Sequence, residues 1–269
     1  VHGSRGLGDV YKRQLSHNRQ DIDIYSNSWG PSDNGRTVEA PGPLMLAAFE
    51  NDVSQGRGNL GNIITWAAGN GLDDDDNSNF DGYANSRHTI AVTAVTHYGE
   101  QSWYAEPGAN ILVAAPSDGD GEGITTTDNA GGGGYNNGDY NDDFGGTSSA
   151  TPLVSGVIAL ILEANPSLTY RDVEHIIAHS SRQNDANDNS WGTNGAGHDV
   201  SHKYGFGVID ASAAVALAEN WNNVDEEIYF QSGLIDIQDT PIPDNSAPGV
   251  IETKQVSDSI KVELSLIHI

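Results

Sequence analysis

From Ser148 to Pro166 the chain carries Leu153, Val154, Val157, Ile158, Leu160 and Leu162 with almost no polar face between them. A helix that is apolar nearly all round has to be covered on every side. That demands layers of structure around it, and 269 residues suffice for one large domain plus a small piece of another. The segment opens on Gly146-Thr147-Ser148-Ser149-Ala150-Thr151-Pro152. The glycines let the backbone turn sharply, and Pro152 is expected in the first helical turn, where its missing N–H would have had no partner. Ser148 then stands at a helix amino terminus, where free N–H groups and the helix dipole favour a developing negative charge. A lone Ser before a helix is ordinarily an N-cap; the whole seven-residue string points to a hydroxyl placed for attack.

The layers come from the preceding residues. Ile22 to Ser28 alternates like a strand, Gly42 to Val53 has apolar residues at helical spacing, and Ile63 to Ala68 is a short apolar run suited to a buried parallel strand. Strand, helix, strand is a βαβ unit, so the class is α/β. Thr89–Val95 and Ile111–Ala115 supply further strands, while 70–86 and 117–145, rich in Asp, Asn and Gly, read as functional loops. Thr169–His179 and Asp210–Trp221 read as helices with Thr and Asp starts. After Trp221 the chain changes to short β-prone pieces, Ile228–Phe230 and Ile260–Val262, which places a domain boundary near residue 224.

Composition narrows the partners. With 38 acidic and 12 basic side chains the net charge is −26, which argues against nucleic acid or an anionic membrane surface and leaves a basic partner open. The absence of cysteine excludes disulfides and Cys-ligated zinc. No membrane segment is read in the chain.

The nucleophile string resembles the Gly-Thr-Ser-x-Ala/Ser-x-Pro pattern of subtilisin-like serine proteases. Ser28-Trp29-Gly30-Pro31-Ser32-Asp33-Asn34-Gly35, Trp66-Ala67-Ala68-Gly69-Asn70-Gly71 and Asp81-Gly82-Tyr83-Ala84-Asn85-Ser86 resemble the kexin/furin, or proprotein convertase-like, branch. The resemblance implies Ser148 as nucleophile and Asn70 as oxyanion donor. It implies that Ser28, Trp29, Gly30 and Pro31 bind substrate backbone, that Asp33 and Asp81 accept a Lys or Arg before the scissile bond, and that Glu39 and Tyr83 line the site for a further basic residue. Asp33, Asp76 and Glu106 match the family's Ca2+ ligands, oxygen donors suited to a hard cation. Val200 to Gly207 and Asp210 to Ala213 resemble the end of the kexin catalytic domain. Thr240 to Ser246 with Val250-Ile251 resembles the opening of the β-sandwich P domain.

The expected architecture is therefore an incomplete subtilisin-like parallel sheet flanked by helices over 15–223, then the first P-domain strands over 224–263. Residues 1–14 and 264–269 are set aside as adaptor-like scars: Asp9–Gln14 can be encoded by GATGTGTATAAGAGACAG, whose reverse complement reads Leu264–Ile269, the transposon end used in sequencing libraries. The family's catalytic Asp and His precede the Ser-Trp-Gly-Pro segment, so both are expected upstream of this chain and the chain itself is expected to be inactive or nearly so. His2, in Val1-His2-Gly3-Ser4-Arg5, imitates the catalytic His string by coincidence. His202 reads as structural, and His175 and His179, at i, i+4, as helix-surface histidines without an apparent third ligand. The parent is expected to be a secreted endopeptidase with its own propeptide, from a bacterial source by its few lysines and Asn- and Gly-rich loops. A general subtilisin with apolar preference and a non-catalytic calcium-stabilised binding module are the alternatives.

Overall fold

Ile63-Ile64-Thr65-Trp66-Ala67 offers solvent no polar face, and it becomes the centre of the sheet. In the computed structural model, which describes Leu15 and residues 19–227, the parallel strands β1 (Ile24–Asn27), β2 (Ile63–Ala67), β3 (Ile90–Val95) and β4 (Ile111–Pro116) lie in the order β1-β2-β3-β4. Tyr25 pairs with Ile64, Thr65 with Ile90 and Val92 with Val113. Every residue of β2 and β3 is buried, as a parallel sheet covered on both faces requires. The one polar side chain of β2, Thr65, meets Ser155 Oγ at 2.8 Å.

Helix α1 (Pro43–Asn59) covers one face, with Met45, Phe49 and Val53 against Ile64, Trp66 and Ala91. Its dihedrals leave the helical region at Gly56, Arg57 and Gly58, so the regular helix ends there. Helix α2 (Thr147–Ala164) covers the other face, with Val154, Ile158 and Ile161 in one cluster with Ile63, Val92 and Val113. Helices α3 (Tyr170–Ser180) and α4 (Ala211–Ala218) cover α2 in turn, through Ile176, Ile177, Ala214 and Ala218. The apolar run that begins at Ser148 is thus the middle helix of a sheet–helix–helix sandwich, but it is not covered on every side as expected: Leu160 is 47% exposed, because the sheet and the two outer helices leave one strip of it open. Among the described residues it is also the one helix long and apolar enough to cross a membrane, and half of it is buried inside the protein. Thr169 and Asp172 form a capping box at the start of α3. The same Asp172 carboxylate accepts Trp221 Nε1 at 3.0 Å and ties the chain after α4 to it.

Two segments differ from expectation. Residues 117–145 are not loop throughout: β5 (Ile124–Thr127) and β6 (Tyr140–Phe144) form an antiparallel pair. Neither strand buries a continuous face, so the apolar alternation that reveals a strand is missing from the sequence. Two-residue strands β7 (Gly192–Thr193) and β8 (Asp199–Val200) also pair, antiparallel. The first compact unit reaches Asn223; the second, Val224–Ser265, lies almost wholly outside the described residues, as do the expected P-domain strands and both adaptor-like ends.

Because all four central strands run the same way, their carboxyl ends open on one edge of the sheet, where α/β proteins bind ligands. Ser28 to Pro31 leave β1 there, Ala68 to Tyr83 leave β2, and Ser117 leaves β4. The amino terminus of α2 joins them through the hydrogen bonds described next.

Candidate active site

Ser148 stands in the first turn of α2, behind Gly146 with φ of 74°. That left-handed conformation is one a side chain resists, and a Cβ there would meet Asn70 Oδ1 at 3.2 Å. Pro152 is not in the first turn as the sequence predicted; it lies inside the helix, four residues after Ser148. The N–H it lacks is the one that would have bonded the Ser148 carbonyl. Ser28 Oγ occupies that acceptor instead, at 3.0 Å. A helix defect thereby becomes the link between the Ser148 turn and the Ser-Trp-Gly-Pro segment. The Ser148 N–H itself meets no acceptor among the described residues.

The orientation of Asn70 is set by its neighbours. Its side-chain Oδ1 accepts the Thr147 N–H at 2.8 Å and the Thr147 hydroxyl at 3.0 Å. A backbone N–H can only donate, so the amide nitrogen must be the other atom, directed away from Thr147. Asp33 Oδ2 holds the Asn70 backbone N–H at 2.9 Å, and Gly69 N–H reaches the Thr147 hydroxyl at 3.3 Å. The amide N–H2 of the exposed Asn70 is thus turned away from Thr147, and the next N–H along the chain, that of Ser148, has no acceptor among the described residues.

Sequence reasoning missed the clamp behind this turn. Asp118 Oδ1 accepts the Gly146 N–H at 2.7 Å and also the Tyr104 hydroxyl. Tyr104 reaches Ser117 Oγ at 2.9 Å, Ser117 Oγ meets Ser149 Oγ at 2.6 Å and donates to the Gly146 carbonyl at 2.7 Å. Burial, and then the hydrogen bond to Asp118, push the Tyr104 hydroxyl up to about 12, so it stays a donor. Spacing could not show this, since the partners lie on different loops. Asp118→Ala leaves the Gly146 N–H unsatisfied, expected to cost about 1–3 kcal/mol and to lower the melting temperature by about 2–4 °C per kcal/mol. Asp118→Asn, which keeps an acceptor oxygen, is expected to lose less; equal melting of Asp118→Ala and the parent protein would dismiss the clamp.

On the other side of the cleft, Trp66 Nε1 donates to the Trp29 carbonyl at 2.7 Å and the two rings meet edge to face at 4.7 Å. Tyr83 stacks on Trp66 at 5.3 Å. These contacts fix Ser28–Pro31 against the loop that carries Asp81. The Asp81 carboxylate abuts Gly30, where a Cβ would stand 2.9 Å from Oδ2, and it accepts the Tyr83 N–H at 2.7 Å. A short β-bridge joins Asp81 to Glu39. Burial, opposed by the backbone hydrogen bonds and reinforced by Asp33 and Glu39, pushes Asp81 up to about 6. Tyr83 is raised by burial, then by Glu39 and Asp81. The structure therefore gathers Gly30, Asp33, Glu39 and Tyr83 around the Asp81 carboxylate.

Behind it, Asp33, Asp76 and Glu106 bring carboxylate oxygens within 4.8 Å of one another. Asp76 and Glu106 are 6% and 3% exposed, and Asp33 is open to solvent. Asp76 accepts the Asn34 N–H at 2.7 Å and Glu106 the Gly71 N–H at 2.9 Å, which aims both carboxylates. A Cβ at Gly69 would land on the Glu106 carboxylate, so glycine there makes the room. Burial first, then the charges of Asp76, Asp33 and Asp81, push Glu106 up to about 8. Three acids this close, in an oxygen-only set, fit a hard divalent cation.

The histidines fall elsewhere. Among the described residues no histidine hydrogen-bonds the Ser148 hydroxyl. His202 is exposed after β8, its carbonyl accepting the Gly108 N–H at 2.8 Å, and His2 lies outside the described residues. His179 gains a neighbour that spacing did not reveal, His198, whose ring is 4.5 Å from its own.

Known proteins resemble this chain over most of its length. Residues 3–207 match the subtilase family. Furin from Rattus norvegicus and from Homo sapiens is 44% identical over 217 residues, which is 80% of this chain and 26% of furin. Proprotein convertase subtilisin/kexin type 5 from Rattus norvegicus is 44% identical over 220 residues, 81% of this chain and 12% of that protein. The chain thus spans about a quarter or less of the curated relatives it matches. Among solved structures, the serine protease of Aeromonas sobria superposes with a TM-score of 0.74 at 25% identity, covering 83% of this chain and 48% of that one. A parallel sheet with Ser148 at the head of its buried helix, a family match over three quarters of the sequence and this likeness to furin lead to one conclusion: the chain belongs to the subtilase family of serine peptidases, on its kexin/furin side.

Proposed function

We propose that the chain provides the nucleophile, oxyanion donors and specificity pocket of a calcium-dependent serine endopeptidase that cuts polypeptides after Lys or Arg, with preference for dibasic sites. The observation that carries this reading is the forced orientation of Asn70, whose amide N–H2 faces away from the Thr147 it anchors, one residue from Ser148. Ser148 Oγ attacks the scissile carbonyl, and the oxygen that becomes negative receives the Asn70 amide and the Ser148 N–H. Ser28–Pro31 hold substrate backbone. Asp81 and Asp33 receive the guanidinium or ammonium group before the cut, and Glu39 with Tyr83 a basic residue further upstream. Asp33, Asp76 and Glu106 would hold Ca2+, whose charge offsets the crowding of the three carboxylates next to the pocket.

The general base that takes the Ser148 proton, and the carboxylate that orients it, lie outside the described residues. The chain by itself is therefore expected to hydrolyse a dibasic fluorogenic peptide slowly or not at all. Cleavage by it that Ser148→Ala abolishes would refute that expectation. Secretion and inhibition by a propeptide complete the proposal.

Substrate preference is the second test. In an active form of the enzyme, Asp81→Asn is expected to lower kcat/KM for Arg and Lys peptides by at least about tenfold, an order of magnitude for one lost charge-assisted contact of about 1.5–3 kcal/mol. Cleavage after neutral residues should be spared. For the parent enzyme, kcat/KM on basic peptides should fall as pH drops through about 6, where the Asp81 carboxylate takes up its proton. A panel on which Asp81→Asn cuts Arg peptides as well as the parent would remove Asp81 from the pocket and favour an apolar-selective subtilisin.

A further inference from the structure

The chain carries four Asn-Gly pairs: Asn34-Gly35, Asn70-Gly71, Asn137-Gly138 and Asn194-Gly195. Asparagine before glycine is open to an intramolecular reaction, because glycine has no Cβ to obstruct its own nitrogen and its backbone turns freely. The glycine nitrogen attacks the asparagine Cγ and a C–N bond forms. The Cγ–Nδ2 bond breaks, and Nδ2 leaves as ammonia with the proton that the glycine nitrogen gives up. Water then opens the five-membered imide at one of its two carbonyl carbons, leaving aspartate or isoaspartate. Three things oppose ring closure: an acceptor on the glycine N–H, a side-chain amide held elsewhere, and packing against the glycine.

The fold distributes these obstacles unequally. Asn70 is exposed, yet its Oδ1 is anchored on Thr147 and the Gly71 N–H donates to Glu106 Oε1 at 2.9 Å. Gly71 is itself buried, and a Cβ there would stand 2.7 Å from that of Asp76 and 3.0 Å from that of Asp33. Asn34 Oδ1 accepts the Arg36 and Thr37 N–H groups, each at 3.0 Å, and a Cβ at Gly35 would collide with the Asp74 carbonyl. Asn194 Oδ1 accepts the Ala196 and His198 N–H groups, each at 3.0 Å, while Gly195 stands in open space. Asn137 meets none of the three obstacles. It lies exposed in the β5–β6 loop, and neither its side chain nor the Gly138 N–H has a hydrogen-bond partner among the described residues. A Cβ at Gly138 would meet nothing within 4 Å. Asp128 holds the Asn136 N–H at 2.7 Å and Asp139 the Gly131 N–H at 3.2 Å, so the loop is tied on both sides of this pair but not at it.

We propose that Asn137 is a site of spontaneous deamidation and that the Glu106 hydrogen bond and the packing around Gly71 shield Asn70 from the same reaction. The consequence for catalysis rests on Asn70 being the oxyanion donor, since aspartate at that position cannot donate. The order of conversion does not rest on it.

The test incubates the whole folded chain in mildly alkaline buffer and follows amide-to-acid conversion at each pair by peptide mass spectrometry. Conversion is expected to be at least about tenfold faster at Asn137 than at Asn70, with Asn194 and Asn34 between them. In concentrated urea, where the tertiary contacts are gone, Asn70 should rise toward the rate of Asn137. Gly138→Ala, for which the fold has room, should slow Asn137 at least about tenfold and leave the other three unchanged, with far-ultraviolet circular dichroism reporting an intact fold. Conversion of Asn70 as fast as Asn137 in the folded chain, an intact Asn137 amide, or the same order of rates in urea would each overturn the proposal. Because mass and not activity is read, an inactive chain gives the same answer.

Discussion

Replacing Asn70 with Ala is expected to lower kcat on a dibasic peptide by about 10²–10³-fold, or ~2.7–4 kcal/mol, in an active form of the enzyme, with KM little changed. The split follows from when the donor acts. The amide N–H meets its acceptor fully only when the substrate carbonyl becomes an oxyanion, so losing it removes transition-state and not ground-state stabilisation. Asn70→Ala also strips the Thr147 N–H and hydroxyl of their shared acceptor, and part of its effect could come from a displaced turn. Asn70→Asp separates the two causes. Its carboxylate keeps both contacts to Thr147 and cannot donate, so a kcat as low as that of Asn70→Ala is expected. Retention of kcat in Asn70→Asp would mean that the amide is not the oxyanion donor, and a loss confined to KM would assign Asn70 to substrate binding instead.

Removing divalent cations by chelation is expected to lower the melting temperature by about 5–10 °C. A cation at a hundred times its dissociation constant stabilises by about 2.7 kcal/mol, and a unit of this size loses about 2–4 °C per kcal/mol. The effect should depend on pH with a definite sign. Glu106, pushed up to about 8 from its ordinary 4.5, keeps a proton in the folded chain over a range where the unfolded chain has lost it. Its contribution is fully present below about 4.5 and is lost as pH rises through about 8. Asp81, pushed up to about 6, adds a slope of the same sign lower in the range. The chelated protein should therefore lose stability from pH 5 to pH 8. Ca2+ should restore more stability at pH 8 than at pH 5, because it replaces that proton. Calorimetric titration in buffers of different ionisation enthalpy should register the proton released, and Glu106→Gln should abolish both the release and the Ca2+-dependent melting shift. Identical melts with and without chelator at pH 8 would exclude a cation at these carboxylates.

What could be read from the sequence was local. The helix after Ser148 was legible because it is apolar nearly all round, and β2 because it has no polar face to show; the sequence did not show that the fold leaves Leu160 exposed. The strings around Ser148, Asn70 and Trp29 were legible because turn chemistry concentrates Gly, Ser and Asn at fixed spacing. The β5–β6 hairpin was not, since strands exposed on both faces lack the pattern that burial imposes.

Pro152 shows the boundary between the two kinds of information. Sequence marked it as a residue of the nucleophile helix but put it a turn too early, and its consequence depends on Ser28, 120 residues away from the carbonyl that it leaves free. The Asp118 clamp, the proximity of Glu39, Asp81 and Tyr83, and the meeting of His179 with His198 are of the same kind. By itself the sequence determined the α/β class, the buried helix and Ser148 at its head, because periodicity and turn residues act over a few positions. Only the tertiary structure decided which way Asn70 points, which acids hold their protons more tightly and which histidines touch, because hydrogen-bond direction and desolvation are set by atoms that the fold, and not the chain order, brings together.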